Sequence, residues 1–324
     1  MSTILAVTEC RDGKLHKTSL EVVSQAKALS EKIGAGVVAL VIGSGISVES
    51  ASLGEYGATK VLVADGQALE NYQPDLYKSI IIEAIRQNSA EIVLAPATAI
   101  GKDIMPRVAA RLEAGMVSDC TKILVQDHTI QAEHPIFAGK AFALLSVNSA
   151  VKIITLRPSV FDAIQTNPGV AAPVEKVGLP AIEIKVKTRE VKKTGGNKLD
   201  VADADIIVTG GRGVRSAENF KIIEELAACL NAAVGATRAA VDSGWRPHEE
   251  QVGQTGKVVS PNLYIMCGAS GSIQHWAGMS GAKCIVAVNK DPNAPIIERA
   301  DYSIIGDLFE VVPALIEEIR KIRG

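Results

Sequence analysis

Along the first 115 residues, apolar runs of strand length alternate with stretches whose apolar positions recur every three or four residues. Thr3 to Thr8 reads as a buried strand, and from Leu15 to Ile33 the residues Leu20, Val23, Ala26, Leu29 and Ile33 share one helical face. The series continues with a strand from Gly36 to Ile42, a short helix from Val48 to Tyr56 and a strand from Lys60 to Ala64. A helix from Leu76 to Gln87 follows, carrying Ile80, Ile81, Ala84 and Ile85, then a strand from Glu91 to Ala95 and a helix from Gly101 to Glu113. Strands and helices joined by short connections predict a doubly wound parallel sheet, because each crossover helix must return over a sheet face.

The pattern changes at Met116. Met116 to Val125 and Thr129 to Val147 read as strands punctuated by His134, Pro135 and Gly139, Lys152 to Leu156 as a further strand, and Arg157 to Pro180 as loop. From Ala181 to Lys192, Ile182, Ile184 and Val186 alternate with Glu183, Lys185 and Lys187, which predicts a half-exposed strand. The polar break at Thr194 to Asn197 places a domain boundary between residues 193 and 194. Beyond it, a strand from Asp205 to Val208 ends in Thr209 to Gly213, and Ser216 is the candidate N-cap of a helix from Ala217 to Leu230. Leu263 to Cys267 and Lys283 to Val288 add strands, and a helix from Leu308 to Ile322 closes the chain. The expectation is an α/β protein of two doubly wound, Rossmann-like domains with mostly parallel sheets, 1–193 and 194–324. The first lacks the G-x-G-x-x-G expected after its opening strand, since Glu9 to Lys14 holds one glycine, so it reads as a scaffold.

Composition narrows the function classes. The 324 residues exceed a usual single domain, and 47% are hydrophobic, yet no apolar run reaches the roughly 18 residues of a membrane span. A net charge of −2 with interspersed signs argues against nucleic acid and against a polybasic membrane anchor. The five cysteines (Cys10, Cys120, Cys229, Cys267, Cys284) show no CxxC spacing, which argues against zinc or iron–sulfur sites and for a reducing compartment. Met1 to Glu9 enters a strand without a tripartite signal, so a cytoplasmic location is expected. HExxH, Walker A and paired-carboxylate patterns are absent, which removes support for hydrolysis and phosphoryl transfer.

The candidate chemistry gathers between Gln251 and Asp291. The strand ending at Cys267 breaks at Gly268-Ala269-Ser270-Gly271 into a helical segment, Ser272 to Met279, whose first amides and dipole would suit an anion. The next strand ends in Asn289-Lys290-Asp291, where a parallel sheet's carboxyl edge meets its ligand. Such glycine turns also arise for backbone reasons alone. The wording of the stretch adds more. VGQTGK (Val252 to Lys257), SGSIQHWAGM (Ser270 to Met279) and VAVNKDPNAPI (Val286 to Ile296), in this order and spacing, resemble the α subunit of electron-transfer flavoproteins. So do GGRG (Gly210 to Gly213), VGATRAAVDSGW (Val234 to Trp245) and DLFEVVP (Asp307 to Pro313). The resemblance is dense over the last third of the chain and looser over the first 190 residues.

That resemblance implies an electron carrier rather than an enzyme, with FAD in the second domain and a β subunit against the first. It further implies transient contact with acyl-CoA dehydrogenases of fatty acid β-oxidation, or similar flavoenzymes, and with a membrane quinone reductase. By the same resemblance Arg238 lies over the flavin ring, His275 donates to its pyrimidine carbonyl, and Thr255 reaches its N5 side from the segment Val252, Gly253, Gln254, Thr255, Gly256. Arg212 and Thr237 fall at the diphosphate, Gln254 and Gln274 near the ribityl chain or phosphates, and Ser270, Gly271, Ser272 and Ile273 supply backbone donors. Asn289, Asp307 and Leu308 fall at the adenosine end. Thr237 departs from the serine common there but keeps the hydroxyl. Plainer readings stand beside these: a surface ion pair for Arg238, a carbonyl-satisfied buried ring for His275, a turn cap for Thr255, and packing for Trp245 and Trp276. The alternatives in function are an electron-bifurcating subunit using NADH, a non-redox nucleotide-binding module, and a purely structural subunit.

Overall fold

Thr3–Val7 (β1) shows how the first unit is built: Ile4 and Ala6 point into one hydrophobic cluster, Leu5 and Val7 into another. The two-residue period of a strand divides its side chains between two helical layers, so a strand apolar on both faces must be sandwiched. A computed structural model describes residues 2–46, 49–126, 129–186, 188–191 and 199–323. It divides into two compact units, Met1–Ile136 with Ala141–Val191, and Phe137–Lys140 with Lys192–Gly324. The boundary expected between residues 193 and 194 lies outside the described residues.

In the first unit β1 is followed by a two-residue ladder, Cys10–Arg11 (β2) with Lys14–Leu15 (β3), and by Lys17–Ile33 (α1). Then come Gly36–Gly43 (β4), Lys60–Asp65 (β5), Pro74–Gln87 (α2), Ala90–Pro96 (β6) and Ala99–Leu112 (α3). Gly115–Cys120 (β7), Lys122–Gln126 (β8), Thr129–Ile136 (β9), Ala141–Ser146 (β10), Lys152–Leu156 (β11) and Val174–Lys176 (β12) complete it. Among the described residues these form a parallel sheet in the order β12-β5-β4-β1-β6-β11-β7 and an antiparallel one in the order β10-β9-β8. At the carboxyl edge between β1 and β6 the crevice closes to about 20 Å³, filled by side chains such as Glu9, Tyr77 and Met105.

The second unit runs Ile206–Gly210 (β13), Lys221–Leu230 (α4), Ala233–Ala236 (β14), Arg238–Asp242 (α5), Leu263–Cys267 (β15) and Ile273–Met279 (α6). Ile285–Asn289 (β16), Pro295–Arg299 (α7), Tyr302–Ile305 (β17) and Leu308–Arg323 (α8) follow. Its sheet is parallel throughout, in the order β14-β13-β15-β16-β17.

Several boundaries differ from expectation for local reasons. α1 starts at Lys17 rather than Leu15, because His16 Nδ1 accepts the Thr18 amide and Lys14–Leu15 is drawn into the ladder through Asp12 (φ 49°) and Gly13 (φ 75°). Asp-Gly is a strong signal for such a turn, and it lies in plain sight in the sequence. The single strand expected from Met116 to Val125 is two, since Asp119 takes φ 53° and the chain leaves the parallel sheet for the antiparallel one. The short helix expected up to Tyr56 is present over residues 49–56 as a 3₁₀ helix. The helix expected from Ala217 opens as a 3₁₀ turn, with Asn219 N donating to Ser216 Oγ at 3.4 Å.

The largest correction concerns the alternating stretch. Residues 181–186 and 188–191 join no ladder, and the edge strand is β12, inside the segment expected to be loop, paired in parallel with β5. Ile182 instead lies against the α2 and α3 layer, so the alternation follows packing of an extended chain and not strand pairing.

Leu40, fully buried in β4, tests this core. Leu40→Ala is expected to lower stability by about 2–5 kcal/mol in urea unfolding, while Leu144→Ala, half exposed on β10, changes it by less than about 0.5 kcal/mol. Equal effects of the two would contradict the assigned interior.

Candidate functional site

The strand order of the second unit fixes where a ligand can enter. From β13 the chain crosses to β14 on one side and later returns to β15 on the other, so the connecting segments diverge and leave a crevice at the carboxyl ends. A cavity of about 780 Å³ lies there, large enough for a sizeable ligand. Its walls are the carboxyl ends of four strands and the segments that follow them: Arg212 after β13, Thr237 and Arg238 after β14, Ser270, Gly271 and Ser272 after β15, and Asn289 at the end of β16. Gln274 and His275 of α6 and Val252, Gly253, Gln254 and Thr255 of the loop before β15 complete the lining among the expected residues. A second cavity of about 310 Å³ shares Arg212, Gly268 and Asn289 with it and adds Asp307 and Leu308. Gly256 and Ile273 line neither. Gly256 packs its Cα against the Gln251 carbonyl, and the Ile273 side chain is exposed at the start of α6.

Close backbone approach holds these loops in place. Gly268 turns with φ 63° directly after β15, where a Cβ would meet Leu308 Cδ2 at 2.5 Å and Gly213 Cα at 3.0 Å. At Gly278 a Cβ would stand 2.4 Å from both N and Cα of Gly253, which seats α6 on the 252–255 loop. Gln254 N donates to Gln274 O at 2.8 Å and Val259 N to Gly278 O at 2.7 Å across the same contact. Ser272 occupies the N-cap with no side-chain capping bond, so its hydroxyl does not consume the first amides of α6.

Positive charge is available at the rim. The exposed Arg212 side chain has no hydrogen-bond or ion-pair partner among the described residues. Arg238 pairs with Asp242 at 3.3 Å, but both are about two-thirds exposed, so the pair contributes little and the guanidinium is easily redirected. Gln251 Nε2 donates to Thr255 Oγ1 at 3.1 Å, which leaves the Thr255 proton for another acceptor. Asn289 is committed on both sides, donating to Ala269 O at 2.8 Å and accepting from Asp291 N at 3.0 Å, and so ties together the loops after β15 and β16. Asp307 accepts from Phe309 N at the start of α8 and from Arg215 at 3.0 Å.

Beneath the floor lies His275, 5% exposed, with Nε2 2.9 Å from Tyr264 Oη, which accepts from Thr209 Oγ1 at 2.7 Å. Burial pushes its pKa down to about 4 against a smaller upward pull from the Val252 carbonyl, so the ring is neutral at neutral pH. Its Nδ1 and the Thr237 hydroxyl oxygen are buried polar atoms without a hydrogen-bond partner among the described residues. Orphaned polar atoms in a cavity wall, an unpaired cation at Arg212 and free amides suit a ligand that carries phosphates and ring acceptors. The set holds no nucleophile with its base, and no metal-binding cluster occurs among the described residues. Trp245 packs edge-on against Phe220 at 6.5 Å, and Trp276 lies under Arg299 at 5.4 Å.

Gln251, Tyr264 and Thr209 were not anticipated. Gln251 directly precedes the VGQTG segment and could have been included with it, whereas the Tyr264 and Thr209 hydroxyls sit in apolar runs that signal only a strand.

Comparison with known proteins agrees with this picture. Residues 4–182 match the family model described as the electron transfer flavoprotein domain, and residues 200–280 match the electron transfer flavoprotein FAD-binding domain. The chain is 40% identical over 320 residues to the electron transfer flavoprotein subunit alpha of Bacillus subtilis (strain 168), covering 98% of each. It is 43% identical to that of Pseudomonas aeruginosa, covering 96% of this chain and 98% of the relative. Protein FixB of Clostridium saccharobutylicum is 41% identical over 319 residues, covering 97% and 95%.

The burial of His275 predicts a pH effect. The unfolded ring takes up a proton near 6.5 and the folded one near 4, so between those values the unfolded state binds more protons and stability falls as pH drops. His275→Gln is expected to remove up to about 3 kcal/mol of that acid loss, measured by urea unfolding at a series of pH values. An unchanged slope would contradict a buried neutral ring.

Proposed function

Because the chain belongs to the electron-transfer flavoprotein α-subunit family, with that family's FAD-binding domain in its second unit, we propose that FAD occupies the cavity at the carboxyl edge of the β13–β15 switch point. The observation that carries this reading is the joint lining of that cavity by Arg212, Thr237, Arg238, Thr255, Gln274 and His275. When bound, FAD supplies reversible exchange of one or two electrons. Arg212, the Thr237 hydroxyl and the amides from Ser270 to Ile273 hold the diphosphate, with Gln254 and Gln274 beside the ribityl chain. Asn289, Asp307 and Leu308 flank the adenosine end. Around the ring, the neutral His275 and the Thr255 hydroxyl present donors, and the exposed Arg238 guanidinium swings over to add positive charge, so that together they favour ring states with added negative charge.

The residues 1–193 serve as scaffold and carry the interface with a β subunit, while residues 194–324 hold the cofactor. The pair takes electrons from acyl-CoA dehydrogenases or similar flavoenzymes in the cytoplasm and passes them to a membrane quinone reductase. None of the described helices is long and apolar enough to cross a membrane.

Co-expression with the β subunit and stepwise dithionite reduction, followed by absorbance, tests the reading. One FAD per heterodimer is expected in this site, and Arg238→Ala is expected to lower its two-electron midpoint by about 30 mV, equivalent to about 1.4 kcal/mol. A colourless complex, or flavin held entirely by the β subunit alone, would overturn it. Two flavins per heterodimer with NADH oxidation would assign the pair to the bifurcating type.

A further inference from the structure

Thr209 of β13 and Tyr264 of β15 are both fully buried, and their hydroxyls form a chain that ends on His275. Thr209 Oγ1 donates to Tyr264 Oη, so the phenol proton has one acceptor within reach, His275 Nε2. The reverse polarity, with Nε2–H donating to the phenol and the phenol to Thr209, would strand the Thr209 proton, for which no other acceptor is present among the described residues. A buried hydroxyl left without an acceptor costs about 1–3 kcal/mol, which decides between the two arrangements. Burial keeps the phenol protonated by pushing its pKa up, and keeps the ring neutral, so the imidazole carries a single proton.

We propose that Thr209 and Tyr264 are positioning residues whose hydrogen-bond chain fixes His275 as the tautomer protonated on Nδ1. Nε2 is occupied by the phenol, and Nδ1, although the Val252 carbonyl lies near enough to the ring to raise its basicity, makes no full hydrogen bond among the described residues, so His275 meets the cavity as a donor of fixed polarity. A ring free to exchange tautomers would present donor and acceptor by turns and would have to be reorganised on binding. That the donor's acceptor is the flavin's pyrimidine carbonyl rests on the electron-carrier reading; the tautomer itself does not.

The test is long-range ¹H–¹⁵N NMR of the full chain, histidine-labelled and purified with its β subunit, with the His275 signals assigned by their loss in His275→Gln. The wild type is expected to show the neutral Nδ1–H pattern unchanged between about pH 6 and 8. Tyr264→Phe should move the ring towards Nε2–H and reduce the preference for reduced over oxidised flavin about fivefold. Thr209→Val should act in the same direction and Thr209→Ser restore the pattern, which carries the test if Tyr264→Phe does not fold. An Nε2–H pattern in the wild type, or an Nδ1–H pattern indifferent to both Tyr264→Phe and Thr209→Val, would overturn the proposal. A Tyr264-dependent Nδ1–H pattern in a complex that binds no flavin would uphold the chain and remove the electron-carrier reading.

Discussion

The cavity of the second unit exists because a parallel sheet cannot close its own carboxyl edge at the point where strand order reverses. β14 and β15 flank β13, and their connections depart in opposite directions, so the side chains beyond the strand ends face a gap. The same physics acts in the first unit, where the β1–β6 crevice has been filled to about 20 Å³ by Glu9, Tyr77, Met105 and their neighbours. One architecture thus yields a filled crevice in one unit and an open, polar one in the other. What differs is the chain after each strand: side chains that pack inward at one edge, and glycines that let backbones close to within contact at the other.

Much of this was legible in the sequence because periodicity reports burial. β1, β4, β6 and β11 lie close to where their apolar runs place them, α2 follows the row of Ile80, Ile81, Ala84 and Ile85, and α3 matches the range read from Gly101 to Glu113 to about two residues at its start. Periodicity says nothing about partners, however. Ile182 and Ile184 alternate with charged residues as a strand would, yet pair with no strand, while the brief β12 has no pattern long enough to notice. Glycine spacing located the loops after β13 and β15 but could not reveal that Gly278 exists to admit Gly253. Gly256 and Ile273, adjacent in sequence to lining residues, turn away from the cavity because neighbours in a loop or on a short helix face different ways.

The electrostatics of the site divide into a wet rim and a dry floor. Arg212 and Arg238 stand in solvent, where a charge moves at little cost and attracts a phosphate-bearing ligand without being bound to its present position. Under them, His275, Tyr264 and Thr209 are sealed from water, so each hydrogen bond there has one polarity that satisfies every proton. That division suits a ligand with an anionic part at the wet rim and a ring with acceptors against the dry floor.

The central claim is that the cofactor lies in the cavity of the second unit. It is tested most directly by measuring FAD per heterodimer in Ser270→Trp, which puts an indole into the cavity from an exposed wall position. The account predicts a complex that has lost its FAD and that unfolds at the same temperature as the FAD-free wild-type complex. A Ser270→Trp complex that still holds one FAD with wild-type affinity would contradict it.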